Sequence, residues 1–248
     1  MDDTKIRWAD SSWNPMTGCD PVSPGCNNCY ARAIAEKFRG SAFPQGFQPM
    51  YRLSRLNAPA GWKTPRRVFV NSMSDLFHRA FTPEQIDSVF AVMLREDRHT
   101  YQVLTKRPER MRHYLAGWLE RQGLSQVPDH IWLGVSIELE RFVYRADVLR
   151  SIPVPIRFIS AEPLLGPLPS LGLVAGIEWL IVGGESGPKF RSMDPQWARD
   201  LRDRAVGVEV TFFFKQSSGR WPEKGITLDG VEWEQYPARN SMLKLTVS

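Results

Sequence analysis

Short apolar runs alternate with amphipathic stretches along most of the chain, and this alternation constrains the fold more than any other feature. Helical spacing predicts helices at about 28–38, 82–95, 140–150 and 196–205, and a further one through Met111, Leu115 and Leu119. The apolar runs predict strands at 6–9, 67–71, 100–104, 131–135, 156–159, 179–182 and 210–214. Apolar strands that alternate with helices are typical of a parallel sheet covered by helices. About seven such units predict an α/β fold, a partial or complete TIM-like (β/α) barrel with mostly parallel strands, with a doubly wound sheet as the alternative.

The chain is expected to form a single domain with a small addition at its end. Its 248 residues, 42% of them apolar, are enough for one substantial core. We expect residues 1–221 to form the barrel, with a cysteine loop near its start, and residues 222–248 to form a C-terminal appendage packed on the barrel. Gly225, Gly230 and Pro237 give that appendage the character of irregular or short β structure.

Polar side chains follow most of the predicted strands. The carboxyl ends of parallel strands lie at one face of such folds, where binding sites are found, so these residues are expected to ring one mouth. They are Asn71, Ser72, Asp75, Thr105, Lys106, Arg107, Ser136, Glu138, Ser160, Glu162, Gly183, Gly184, Glu185, Lys215 and Gln216.

Several of these positions have both a functional and a structural interpretation. Lys106 and Arg107 have the charge to hold a phosphate or carboxylate, or they are the solvated start of a helix. For Glu162 a site role is favoured over a structural ion pair, because an unpaired carboxylate at a strand end is costly. Gly183 and Gly184 permit close approach of a ligand or form a tight turn.

All three cysteines, Cys19, Cys26 and Cys29, lie in one loop rich in proline and glycine, just before a predicted helix. Three soft ligands without a fourth cysteine favour a metal or iron-sulfur centre with one open position. The alternatives are zinc, with one of His78, His99, His113 or His130 as fourth ligand, and inert thiols. Cys29 is expected in the first helical turn, where the helix dipole favours a thiolate or an anionic cluster.

Charge and targeting signals bound the setting of the protein. The formal charge of +5, from 32 basic and 27 acidic residues, permits an anionic partner but is a mild excess. No apolar run approaches the roughly 20 residues that span a bilayer, so no membrane partner is expected. A cytoplasmic location is expected, where thiols stay reduced and can bind metal. No Ser-His-Asp, phosphate-loop or metalloprotease pattern is present.

Seven motifs together carry a resemblance to a known family. They are WNPMTGC at 13–19, SPGCNNCYA at 23–31, VFVNSMSDLFH at 68–78, LTKRP at 104–108, EPLLGP at 162–167, VGGESG at 182–187 and FFKQ at 213–216. In these motifs the chain resembles the phage-associated three-cysteine family of unknown function, which is regarded as related to radical S-adenosylmethionine enzymes. The resemblance spans about residues 6 to 221.

The resemblance implies a partial TIM-like barrel and a 4Fe-4S cluster held by Cys19, Cys26 and Cys29. In radical S-adenosylmethionine enzymes the fourth iron binds the methionyl group, and reductive cleavage starts radical chemistry. The residues expected to bind the cofactor are Asn71, Ser72, Asp75, Ser136, Glu138, Ser160, Glu162, Gly183, Gly184 and Glu185. Those expected to bind substrate or phosphate are Thr105, Lys106, Arg107, Lys215 and Gln216.

Three functional hypotheses remain open from the sequence. The first is a radical S-adenosylmethionine-like enzyme that modifies or repairs a nucleic acid or a nucleotide-like substrate. The second is a non-enzymatic iron-sulfur or zinc protein that binds DNA or RNA. The third is a phage or host-defence accessory protein that works with a partner protein and uses the cluster as a redox switch.

Overall fold

A computed structural model describes residues 4–174 and 176–238. The strands in these residues are β1 (Ser11–Trp13), β2 (Met16–Thr17), β3 (Met50–Tyr51), β4 (Arg67–Val70), β5 (Thr100–Thr105), β6 (Ile131–Ser136), β7 (Arg157–Ala161), β8 (Trp179–Gly183), β9 (Thr211–Gln216), β10 (Thr227–Leu228) and β11 (Val231–Glu232). The α-helices are α1 (Tyr30–Lys37), α2 (Pro83–Arg95), α3 (Pro108–Gln122), α4 (Tyr144–Arg150) and α5 (Pro195–Gly207). None of these helices has the length and apolar character needed to cross a membrane.

The main sheet of the described residues has seven strands in the order β1-β4-β5-β6-β7-β8-β9. Each neighbouring pair is parallel. This confirms the prediction of a single-domain α/β fold with a parallel sheet. The strand order follows the chain without reversing, whereas a doubly wound sheet reverses at a switch point. The doubly wound alternative is therefore wrong for this sheet.

The two faces of the sheet carry two separate cores because side chains alternate along each strand. On β4, Val68 and Val70 pack in the larger core with the helices, whereas Phe69 faces the other side. The inner core joins Phe69 to Trp8, Trp132, Phe158, Trp179 and Phe213. The Trp8 ring lies 4.5 Å from that of Phe69 on β4 and 6.2 Å from that of Trp179 on β8. Strands so far apart in the order share an interior because the sheet is curled into a half barrel.

The strand predicted at 6–9 is wrong. These residues form a turn, and the first strand of the sheet is β1. Trp8 and Ala9 are apolar because they fill the inner core, where the Gln102 side chain donates a hydrogen bond to the Trp8 carbonyl at 3.1 Å. The segment also reaches the far edge of the sheet, where Arg7 Nη1 donates to the Lys215 carbonyl at 3.2 Å.

The remaining predicted strands and most helices are confirmed to within about two residues. The capping box of α2 is present: the Gln85 amide donates to Thr82 Oγ1 at 3.3 Å and the Thr82 amide donates to Gln85 Oε1 at 3.1 Å. The helix predicted at 140–150 is only partly right. Its first part is a separate 3-10 turn, Glu140–Phe142, because its amide groups bond three residues back, and α4 begins only at Tyr144.

The C-terminal stretch packs against the last strand of the sheet. The Phe214 amide donates to the Trp233 carbonyl at 2.9 Å, and the Gln235 amide donates to the Phe212 carbonyl at 3.1 Å. The Tyr236 ring lies 5.5 Å from the rings of both Trp179 and Phe213, at the edge of the inner core. Residues 239–248 of the predicted appendage lie outside the described residues.

Candidate functional site

A cavity of about 220 Å³ lies at the carboxyl ends of the strands. Its floor is apolar, with Trp8, Phe69 and Leu104, and all three cysteines lie on its wall. The structure brings together most of the predicted site residues here. Those lining the cavity are Asn71, Ser72, Asp75, Thr105, Lys106, Arg107, Ser136, Ser160, Glu162, Gly184, Glu185 and Lys215. Gly183, Glu138 and Gln216 are close by in the chain but do not line it.

The cysteine loop, defined here as residues 19–29, is held first by Arg107. The Arg107 guanidinium donates to Asp75 Oδ2 at 3.0 Å, to the Asp20 carbonyl at 3.0 Å and to Cys19 Sγ at 3.4 Å. Burial and Asp75 raise the pKa of the Cys19 thiol to about 11, although Arg107 opposes them. Asp75 also accepts hydrogen bonds from the Thr105 hydroxyl at 2.7 Å and the Lys106 amide at 3.1 Å. Asp75 therefore ties the end of β5 to the loop.

A second support for the loop comes from buried Glu185, which follows β8. Its carboxylate pairs with Arg191 and accepts a hydrogen bond from Asn28 Nδ2 at 2.9 Å. Arg191 Nη2 also donates to the Pro24 carbonyl at 3.0 Å, so the pair grips the loop at two points. Burial raises the pKa of Glu185, but the hydrogen bonds from Arg191 and Asn28 outweigh it and hold the pKa below its usual value.

A third carboxylate, Glu138, lies fully buried beneath the loop. Its partner Arg145 donates to Glu138 Oε2 at 3.1 Å and to the Ser136 carbonyl at 2.8 Å. A Cβ atom on Gly25 would lie 3.2 Å from the Glu138 carboxyl carbon, so the loop packs tightly on this pair. Asp75, Glu138 and Glu185, all predicted to bind the cofactor, thus each form an arginine pair next to the loop.

The arginine partners Arg145 and Arg191 and the amide of Asn28 did not emerge from the sequence. Asn28 lies between two cysteines, and that position is the one local signal that would have found it. Arg191 lies in an irregular segment after β8, and Arg145 lies on α4. Their pairing depends on how the loops fold back over the strand ends, which no local pattern reports.

Asn71 offers a free donor beside the cysteines. Its backbone has a φ of 62°, and its Oδ1 accepts from the Met16 amide at 3.3 Å. Its Nδ2 is buried and has no hydrogen-bond partner, although Asn71 lines the cavity. A buried donor without a partner is costly, so this group is suited to a ligand.

An ion pair between the ends of β7 and β9 also lines the cavity. Lys215 Nζ pairs with Glu162 and lies 3.9 Å from Glu223 Oε1. Burial raises the pKa of Glu223, although Lys215 opposes this effect. Glu162 therefore lines the cavity and also forms an ion pair with Lys215. The sequence had offered a site role and a structural ion pair as alternatives, and the structure shows a position compatible with both.

Two residues predicted to contact a ligand, Gly184 and Gln216, make close contacts within the protein. A Cβ atom on Gly184 would lie 2.2 Å from the Ser218 amide nitrogen, so glycine here allows two backbone segments to approach each other. Gln216 Nε2 donates to the Gly184 carbonyl at 3.0 Å, and its Oε1 accepts from the Glu223 amide at 2.7 Å. Gln216 therefore ties the strand ends together.

The donor set consists of the three free thiols of Cys19, Cys26 and Cys29. In residues 4–174 and 176–238, no three His, Cys, Asp or Glu side chains form a group that could hold a metal ion. His78 Nε2 contacts Asp20 Oδ2 at 3.2 Å and its Nδ1 accepts from the Ala80 amide. His99 and His130 contact the Pro59 and Met93 carbonyls, and His113 is exposed on α3. A four-iron cluster places each of three thiolates on a different iron, whereas a structural zinc ion needs a fourth protein ligand beside them.

The fold and the site together define an α/β half-barrel protein with three free cysteines at the mouth of its sheet. The chain belongs to the family described as "Protein of unknown function (DUF5131)", whose model matches residues 3–237. The match extends past Trp221, where the resemblance inferred from the motifs ended, into the C-terminal stretch. No curated protein and no solved structure matches the chain.

Proposed function

We propose that Cys19, Cys26 and Cys29 hold a 4Fe-4S cluster and that the protein is an enzyme resembling radical S-adenosylmethionine enzymes. In this proposal the half barrel is a partial TIM-like barrel, and the substrate is a nucleic acid or is nucleotide-like. The observation that carries the proposal is the position of all three free thiols on the wall of one cavity at the strand ends. A relation to phage proteins is part of the same proposal.

The surroundings of the thiols support a bound anionic group. Arg107 donates to Cys19 Sγ, and hydrogen bonds to cluster sulfurs are one means by which proteins tune a cluster. The orphaned Asn71 Nδ2 offers a further donor on the same wall. When bound, a cluster of this type supplies the electron that cleaves S-adenosylmethionine.

The other residues of the cavity have roles that do not depend on the cluster. Trp8 and Phe69 give the cavity apolar lining, and electrostatic interactions are stronger beside apolar groups than in water. Lys106 and the Lys215–Glu162 pair provide cationic and anionic groups for the carboxylate, phosphate or amino groups of a ligand. The three arginine–carboxylate pairs keep the cysteine loop over this cavity.

Electron paramagnetic resonance of the anaerobically reconstituted and reduced protein, with and without S-adenosylmethionine, tests the proposal. We expect the cluster spectrum to change when S-adenosylmethionine is added, and 5'-deoxyadenosine to form with dithionite. Cys26→Ala is expected to abolish both responses. An unchanged spectrum without 5'-deoxyadenosine would leave a non-enzymatic iron-sulfur protein, whereas tightly bound zinc without iron would leave the zinc alternative.

A further inference from the structure

An exposed apolar stripe runs along α1 from the mouth of the cavity. Tyr30, Ile34 and Phe38 are 47%, 40% and 45% exposed, and their spacing of four residues places them in one row. Ala31 and Ala35 directly follow Tyr30 and Ile34 in the sequence. Both alanines are buried and pack α1 against the rest of the protein. The stripe is therefore separate from the side of α1 that packs. Tyr30 also lines the cavity, so the stripe begins at the site.

Two further exposed aromatic residues lie by the same mouth. Phe190 is 37% exposed and Trp221 is 65% exposed. The segment that carries Phe190 contacts the cysteine loop, because Asn28 Nδ2 donates to the Lys189 carbonyl at 2.8 Å. That segment also contacts the segment before Trp221, because the Gly187 amide donates to the Gly219 carbonyl at 3.0 Å.

Cations lie beside these rings. Lys37 Nζ lies 5.4 Å from the centre of the Phe38 ring, and the Arg220 guanidinium lies 5.4 Å from the centre of the Trp221 ring. Lys189 precedes Phe190, and Lys106 lies on the cavity wall. No described carboxylate forms an ion pair with any of these four cations, whereas nearby Glu36 and Asp20 are paired with Arg39 and Arg79. These four cations are therefore available to an anionic partner.

We propose that this surface binds single-stranded nucleic acid and leads it to the cavity. We name it the aromatic–basic rim and define it by Tyr30, Phe38, Phe190, Trp221, Lys37, Lys106, Lys189 and Arg220. Proteins bind single strands with aromatic rings that stack on bases and with cations that follow the phosphates. A duplex hides its base faces by stacking, so rings exposed in this way favour a single strand.

The inference rests on the proposed function only for the statement that the chemistry takes place in the cavity. Binding to the rim itself needs no cluster, because none of the rim residues is a cysteine. DNA and RNA both offer bases that stack and a phosphate backbone, so the rim residues suit either of them. Only the 2'-hydroxyl group of RNA distinguishes the two.

Fluorescence anisotropy with labelled DNA and RNA single strands of one sequence, and with the matching duplex, tests the inference. Two full-length proteins are compared: the unaltered protein with its metal content as purified, and the Cys26→Ala variant. We expect both proteins to bind single strands more tightly than the duplex, with an affinity that falls as salt rises. Tighter binding of one single strand identifies DNA or RNA as the preferred form.

Rim variants give the sharpest comparison. Trp221→Ala and Phe38→Ala are each expected to weaken single-strand binding about tenfold. Arg220→Gln is expected to weaken binding and to reduce its salt dependence. Val206→Ala, on an exposed residue of α5, is expected to have no effect. Thermal unfolding of each variant shows whether it is folded.

Folded rim variants that bind single strands as tightly as the unaltered protein would overturn the inference, as would equal binding of duplex. In the first case the rim would belong to a protein partner or to no partner, and in the second the protein would bind nucleic acid through phosphate charge without base stacking. If Cys26→Ala binds single strands in a salt-dependent way, the inference is upheld even when no response to S-adenosylmethionine is seen. The two experiments therefore distinguish a wrong inference about the rim from a wrong proposal about the cluster.

Discussion

At the scale of single residues, the cysteine loop depends on charge pairs. Asp75, Glu138 and Glu185 follow β4, β6 and β8, and each pairs with an arginine. The sequence predicts where these carboxylates lie, because the ends of parallel strands meet at one mouth. It does not predict the partners of Glu138 and Glu185, because Arg145 and Arg191 reach the mouth from a helix and a loop whose paths are set by packing. The result is a loop fixed from three sides before any ligand is considered.

Removal of Arg191 tests this role directly. Arg191→Gln leaves buried Glu185 without its cation and Pro24 without its donor, so we expect a loss of about 2 kcal/mol of stability. The looser loop is expected to raise the alkylation rate of the metal-free thiols several-fold. Arg199→Gln, which breaks the pair between Arg199 on α5 and Asp229 in the turn between β10 and β11, is the matched control. Equal alkylation rates in the two variants would contradict the proposed support of the loop.

A second residue-scale prediction concerns pH and His99. Its Nε2 contacts the Pro59 carbonyl at 3.2 Å, and its buried Nδ1 has no partner. Burial lowers the pKa of His99, and the charge of Arg98 lowers it further. The hydrogen bond with the Pro59 carbonyl raises this pKa, but the net shift is downward. Below a pH of about 6.5 the unfolded chain gains a proton that the folded chain does not yet accept. Stability is therefore expected to fall as pH drops from that value towards the folded pKa.

Urea unfolding at several pH values between about 7.5 and 5 checks the sign. His99→Gln is expected to show a smaller fall in unfolding free energy than the unaltered protein. His113→Gln, at an exposed histidine, is the control and is expected to retain the full fall. The same fall in His99→Gln as in the unaltered protein would show that His99 does not carry this proton linkage.

At the scale of elements, the first strand shows why sequence reasoning failed in one place. Residues 6–9 contain three apolar side chains and Ser11–Trp13 only one, so the apolar pattern favours the segment that does not become a strand. The choice is made by pairing, because β1 aligns Ser11 with Val68 and Trp13 with Val70 on β4. Trp8 instead packs in the inner core of the half barrel. Pairing with a strand that is distant in the chain therefore decides which segment becomes a strand.

The start of the cysteine loop gives a prediction at this scale. Gly18 has a φ of +84°, and an added Cβ would lie 2.1 Å from the Gln48 carbonyl oxygen. Gly18→Ala is therefore expected to cost about 2–4 kcal/mol and to displace Cys19. Gly61→Ala is the control, because no heavy atom lies within 4 Å of its added Cβ. Denaturant unfolding measures both variants, and equal stabilities would contradict the close approach at Gly18.

At the scale of the whole molecule, the curl of the sheet creates the cavity, and the two ends of the chain help to maintain it. The alternation of strands and helices predicted the parallel sheet and the position of the mouth. It did not predict that the segment before β1 fills the interior, or that the C-terminal stretch pairs with β9. The two stretches also contact each other, because the Tyr236 hydroxyl donates to the carbonyl of Arg7, 229 positions earlier in the chain. No local pattern in the sequence reports such a contact.

Tyr236 tests whether the C-terminal stretch is part of the folded unit. Its ring contacts Trp179 and Phe213, and its hydroxyl donates to the Arg7 carbonyl at 3.1 Å. Tyr236→Ala is expected to lower the unfolding free energy by about 2–3 kcal/mol. Tyr236→Phe keeps the ring and loses one hydrogen bond, so a loss of about 1 kcal/mol is expected. An alanine variant as stable as the phenylalanine variant in urea would show that the ring contributes nothing to the inner core.

The cluster itself is tested most directly by the metal content of the protein after anaerobic purification and reconstitution. The account predicts about four irons and about four acid-labile sulfides per chain. It also predicts that Cys19→Ala, Cys26→Ala and Cys29→Ala each lose most of both, while a folded control such as Gly61→Ala retains them. One zinc per chain without iron or sulfide, or a full iron content in the three cysteine variants, would contradict it.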